Sequence, residues 1–324
     1  MQYETIEENA GILARIFLES SPPHIFLGDT DHFNIVTTMS CVSHPSVLAA
    51  LREQGKTTLG VEMSPSVAEK FLKGAREQNF FEDHPHEECV FNAQRVEEED
   101  PEYTKQIAFE LLVSQCDKFD IRIEGVDTHQ ENITPEEYDA TYELGIEQFT
   151  LMQKIQASLG KRATNLGWFT NKDLKTVWRD VVNSTDPDNF PEHKKIVDLA
   201  SMMIALTYLE RWKKYSKTVE KPRMQYDPKT AALIKSKAGT GGSFTVFGDG
   251  HIGIPQALGE DTLHISFCPA DNTLLHLSKI GDMVQNRVPN FYLDAPDNRL
   301  IEGHQAQQEA LAMISAHFSL DAFR

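Results

Sequence analysis

The stretch His24-Ile25-Phe26-Leu27-Gly28-Asp29-Thr30-Asp31-His32 is a short apolar run that ends at a glycine and delivers two acids and a histidine at once. Such a run, bounded by Pro22-Pro23 before it and by glycine after it, reads as a buried strand feeding a loop. The pattern returns far downstream, where Ser243-Phe244-Thr245-Val246-Phe247 ends at Gly248 and Asp249-Gly250-His251 follow. In both places the chemistry-bearing residues come immediately after a strand.

Around these stretches the periodicity alternates. Glu7 to Glu19 carries Ile12, Leu13, Ile16 and Phe17 at helical spacing and stops before the prolines. Pro45 to Gln54 has Val47, Leu48 and Leu51 on one helical face. Thr57 to Glu62 reads as a second buried strand, and Ser64-Pro65 starts a helix with a cap and a proline in its first turn. Residues 85 to 117 are acidic and helical, and Phe119 to Asp127 alternates as a third strand. From Thr134 to Lys217 the pattern is helical and amphipathic. A helix from Asp227-Pro228 through Lys237, a strand at Thr262–Phe267 and a tail helix from His304 to Phe318 complete the order.

Strands alternating with helices predict an α/β fold, with a mainly parallel or mixed sheet flanked by helices and a helical insert or cap. The expected division is 1–133 and 221–324 as two halves of the α/β core, with 134–220 as the insert. Ligands on such sheets bind outside the carboxyl ends of the strands, which is where both glycine loops fall.

Composition narrows the function. The 324 residues carry 31 Lys and Arg against 49 Asp and Glu, a net charge of −18. The densest basic stretch, Arg211 to Lys217, sits where a helix should end and complements its dipole. Neither nucleic acid nor an anionic membrane is therefore an expected partner. Cys41, Cys89, Cys116 and Cys268 are widely spaced without a CxxC pair, which predicts reduced, buried thiols. Met1 to Glu8 lacks the basic and apolar regions of a Sec signal, so the expected location is the cytoplasm, or outside the cell by another route.

Three constellations carry candidate chemistry. In the first loop Gly28 permits a sharp turn, and Asp29, Asp31 and His32 project into one crevice, where they can orient a water or ligate a metal. An Asp-rich loop capping a helix is the alternative. The second loop, Gly248 to Gly253, presents His251 among three glycines and fits neither a Walker motif nor GxGxxG. Glu62 closes an apolar strand and needs a cationic or metal partner to offset its desolvation. Asp127 closes the third strand and is a weaker candidate. His84-Pro85-His86-Glu87-Glu88-Cys89 has metal-ligand residue types, but the proline and the crowding fit a surface loop. Trp168, Trp178 and Trp212 read as packing residues of the helical block.

This order of motifs resembles the superfamily of erythromycin esterases, TraB proteins, Tiki proteases, ChaN-like haem-uptake proteins and a bacterial toxin domain. Asp29 stands where the esterases have Glu, one methylene shorter, and His32 matches their loop histidine. Glu62 matches the acid ending the second strand, and His251 the histidine of a Gly-x-x-His loop. Arg223 sits where the TraB pattern has Arg-Asn, although Met224 replaces the Asn. The resemblance implies a split α/β fold with a histidine and carboxylate pocket. The expected function is a hydrolase acting on an ester, a lactone or a peptide bond. In it His32 or His251 serves as base, Asp29, Asp31 and Glu62 orient it, and Arg223 stabilises an oxyanion. His32, Glu62, His251 and Asp29 are the expected ligands if a divalent Mn, Zn or Co ion takes part. A non-catalytic haem or small-ligand carrier and a secreted bacterial effector are the alternatives.

Overall fold

The computed structural model describes residues 2–30, 34–78, 80–100, 103–129, 225–251, 253–269, 275, 279, 282 and 288–317. The expected insert at 134–220, with Trp168, Trp178 and Trp212, lies outside the described residues, as do Asp31, His32 and Arg223. The chain divides into two compact units, one of Met1–Asn132, Arg223–Asp271 and Pro289–Gly303, the other of Ile133–Pro222, Asn272–Val288 and His304–Arg324. The first unit carries the sheet and the candidate site.

Helix α1 runs over Tyr3–Ser20 and ends where Ser21 turns left-handed (φ 40°), its N–H closing on the Phe17 carbonyl just before Pro22-Pro23. Strand β1 is His24–Asp29. Helices α2 (Ile35–Val42) and α3 (Pro45–Glu53) follow, and the His44 side chain caps α3 by accepting from the Ser46 N–H. Next come β2 (Thr58–Val61), α4 (Pro65–Gln78), α5 (His86–Glu99), α6 (Thr104–Lys118) and β3 (Arg122–Gly125). The C-terminal part adds α7 (Asp227–Lys237), β4 (Ser243–Gly248), α8 (Gly253–Leu258) and β5 (Thr262–Cys268). It closes with β6 (Phe291–Asp294), β7 (Arg299–Glu302) and α9 (Gly303–His317).

The seven strands form one sheet in the order β3-β2-β4-β1-β5-β6-β7. Six are parallel, and β7 returns antiparallel to β6 at one edge. The α/β class with a mixed sheet and flanking helices is as the sequence predicts. The central strands β1, β4 and β5 are buried along nearly their whole length, as strands covered on both faces must be. On one face Ile25, Leu27, Phe244, Val246, Leu263 and Ile265 join the core shared with α1 to α6. On the other, Phe26 and Phe247 pack with Ala231 and Ile234 of α7 and Ile254 and Leu258 of α8.

The structure departs from the sequence reading in several places. Helix α2 and strands β6 and β7 have no counterpart in the sequence pattern, and the acidic stretch at 85–117 forms two helices. His86 does not sit in a surface loop. It opens α5 and is buried, while His84 stays exposed and pairs with Glu88. Gly28 is a strand residue rather than a turn, and Asp127 lies two residues beyond β3. All four cysteines are buried and none is in a disulfide. Among the described residues no helix is long and apolar enough to cross a membrane.

Candidate functional site at the carboxyl ends of the strands

The parallel pairing of β1 with β4 aligns their carboxyl ends, Asp29 opposite Gly248. The two glycine loops therefore start side by side, and the Asp249 N–H donates to the Asp29 carbonyl at 2.9 Å. Strand β2 lies on the other side of β4, so Glu62, the residue after β2, comes up next to the same loop. Its Oε2 accepts from the Gly248 N–H at 2.6 Å.

His251 is the centre of the site. Its Nδ1 lies 2.9 Å from Asp227 Oδ1, and its Nε2 lies 3.5 Å from Glu62 Oε1. Phe247 stands edge-on to the imidazole, with ring centroids 4.8 Å apart. Asp227 is buried at the start of α7, and its second oxygen accepts from the Gly253 N–H at 2.9 Å. Gly253 has no room for a side chain there, because a Cβ would fall 2.7 Å from that oxygen. Burial alone would push the imidazole down. The hydrogen bonds to Asp227 and Glu62 and their charges outweigh it and raise His251 to about 9. At neutral pH His251 is therefore an imidazolium held between two carboxylates, one fully enclosed and one partly open to solvent.

A second acid and histidine meet on the β5 side. Asp249 Oδ1 lies 3.3 Å from His264 Nε2, and Ser266 Oγ donates to Asp249 Oδ2 at 2.9 Å. His264 also stands edge-on to Phe26 at 5.2 Å. Asp127, buried beyond β3, turns back on its own loop and accepts from the His129 N–H at 2.7 Å.

No family model matches the chain, and neither does any curated protein or solved structure.

Of the residues singled out in the sequence, the structure brings Glu62 and His251 together and sets Asp29 at the adjoining strand end. Asp31, His32 and Arg223 lie outside the described residues. Asp227, His264 and Ser266 join the site only through the fold. The signal for Asp227 was present but ambiguous, since Asp-Pro at the head of a helix reads as a helix start. For a divalent ion, the described residues offer Glu62 and the Nε2 edge of His251. A His whose Nδ1 is anchored on a carboxylate is a common metal ligand, but catalytic zinc takes three protein ligands. Among the described residues no group of three or more His, Cys, Asp or Glu is placed to hold a metal.

Proposed function

We propose that the chain is a hydrolase in which Glu62 and His251 are the reacting groups and Asp227 orients the imidazole. One observation carries this reading: His251 is fixed between Asp227 and Glu62, with Nδ1 on the buried acid and Nε2 toward the partly exposed one. A histidine charged at neutral pH is a general acid. The base is then Glu62, which inverts the role that the family resemblance suggests for the histidine.

Glu62 takes a proton from water as the water oxygen bonds to the carbonyl carbon of an ester, lactone or peptide. His251 Nε2–H gives its proton to the departing oxygen or nitrogen as that bond breaks. The proton left on Glu62 returns to His251 across the 3.5 Å that separates them, and the site is reset. Asp227 keeps the ring in the orientation that aims Nε2 at the reacting atoms. Within the same proposal Asp29 belongs to the adjoining strand end, and the orienting role that the resemblance implies for Asp31 and His32 and the anion-binding role it implies for Arg223 are kept as parts of the reading, on residues outside those described.

A panel of ester, lactone and peptide substrates tests this. Glu62→Gln and His251→Ala should each lose activity by about 10²- to 10⁴-fold with the fold intact. Full activity in folded His251→Ala sinks the mechanism. Elemental mass spectrometry of wild type beside Glu62→Ala covers the other route. A stoichiometric Mn, Zn or Co ion, lost in the variant, would make the hydrolysis metal-assisted at the same residues.

A further inference from the structure

Gly28 sits in register with Phe247 on one neighbouring strand and Ser266 on the other. Register partners in a parallel sheet face the same side, so this row carries a side chain at Phe247, none at Gly28 and one at Ser266. The gap is filled from the loop above. A Cβ on Gly28 would fall 2.0 Å from Asp249 Oδ1, 2.9 Å from its Cγ and 3.1 Å from its Cβ. In that recess the Asp249 carboxylate accepts from Ser266 Oγ and lies against His264 Nε2.

Asp249 is two residues from His251, in a loop otherwise made of Gly248 and Gly250. Glycine brings no stiffness of its own, so the position of His251 depends on what pins the loop. On the β2 side the pins are Glu62 on the Gly248 N–H and on the imidazole. On the β5 side the side-chain pin is Asp249.

We propose that Asp249 is a positioning residue: its carboxylate, seated in the recess left by Gly28, clamps the loop so that His251 stays over Glu62. The active histidine is then held from both flanks, and Gly28 is required for the space it leaves rather than for its backbone freedom. The inference rests on the roles proposed for Glu62 and His251, but it can be tested without turnover.

The probe is the low-field proton NMR signal of the His251 Nδ1–H bonded to Asp227, identified by its loss in His251→Gln. Gly28→Ala ejects the carboxylate by a clash with the end of a short side chain, so the fold should survive. The expected result is loss of the signal in both Gly28→Ala and Asp249→Ala, and its retention in Asp249→Asn, which keeps the shape and an acceptor for Ser266. Urea midpoints should form a non-additive cycle, in which Gly28→Ala lowers the midpoint of wild type but adds nothing to Asp249→Ala. Additive losses, or an unchanged signal in both single variants, overturn the clamp while leaving the hydrolase reading intact. If Gly28→Ala does not fold, Asp249→Ala beside Asp249→Asn decides alone. A wild type without the signal removes the Asp227–His251 pair itself, and the mechanism with it.

Discussion

Two histidines of this protein are buried to the same degree, His86 at 6% exposure and His251 at 7%, and carry opposite charge states. His86 lies in the helical layer. Its Nδ1 meets the Tyr3 hydroxyl at 3.0 Å, its Nε2 meets the Ser43 hydroxyl at 3.2 Å, and the His44 ring stands edge-on to it at 4.9 Å. Burial and the neighbouring His44 push it down to about 3, so it is neutral. His251, at the end of the sheet, has two carboxylates and is raised to about 9. Burial acts in the same direction on both. The partners decide the sign, and of these two histidines it is His251 that carries a proton to give up near neutral pH.

The largest effect expected from this contrast is at Asp227. Removing it in Asp227→Ala leaves an imidazolium with one carboxylate, in a place where breaking a buried pair costs about 3–5 kcal/mol. Urea unfolding should register that loss, and kcat/KM on a cleaved ester should fall by about 10²-fold or more. Unchanged stability would mean that His251 does not carry charge in the folded protein, and the contrast would collapse.

The next effect is in the pH dependence of stability, where the two histidines should pull in opposite directions. His251 is raised above its ordinary 6.5, so its contribution is fully present below 6.5 and is lost as pH rises through about 9. His86 is depressed, so its contribution is intact above 6.5 and is lost as pH falls from 6.5 toward about 3. Each limb can reach a slope of about 1.4 kcal/mol per pH unit. His86→Leu should flatten the acid limb of the urea-midpoint profile, and His251→Leu the alkaline one. An acid limb of the same slope in His86→Leu would show that some other group sets it.

The smallest effect is at Tyr3. Tyr3→Phe removes the hydroxyl from His86 Nδ1 and should cost about 1 kcal/mol, with hydrolysis unchanged. A change in activity would show that the helical layer and the sheet end are coupled.

Much of the fold is legible because local signals agree. Pro22-Pro23 before β1 and Ser64-Pro65 before α4 each mark a boundary through backbone restriction, while Gly28 and Gly248, the glycines expected to follow the strands, are among the last residues of β1 and β4. Helix α2 is harder to read, since Ile35-Val36-Thr37-Thr38 is β-branched and only packing makes it helical. Strands β6 and β7 are four residues each, too short for a period to show. The candidate site divides in the same way. Glu62 and His251 stand out as polar residues at the ends of apolar strands. Asp227 and His251 meet across 24 positions of sequence, and nothing local distinguishes an Asp at a helix start that pairs with a distant histidine from one that caps the helix. His264 and Ser266 read as strand residues because that is what they are. Their polar role comes from Asp249 folding back over Gly28.

The buried cysteines give the molecule an internal clock. Burial pushes the Cys41 thiol up to about 12 and Cys89 to about 11, and Cys116 is also raised. All four thiols are buried and so out of reach of an alkylating reagent while the fold is closed. Cys41, Cys89 and Cys116 sit on α2, α5 and α6, and Cys268 ends the central strand β5. The order in which they become modified during slow labelling reports which layer opens first, and the helices should yield their thiols before the sheet yields Cys268.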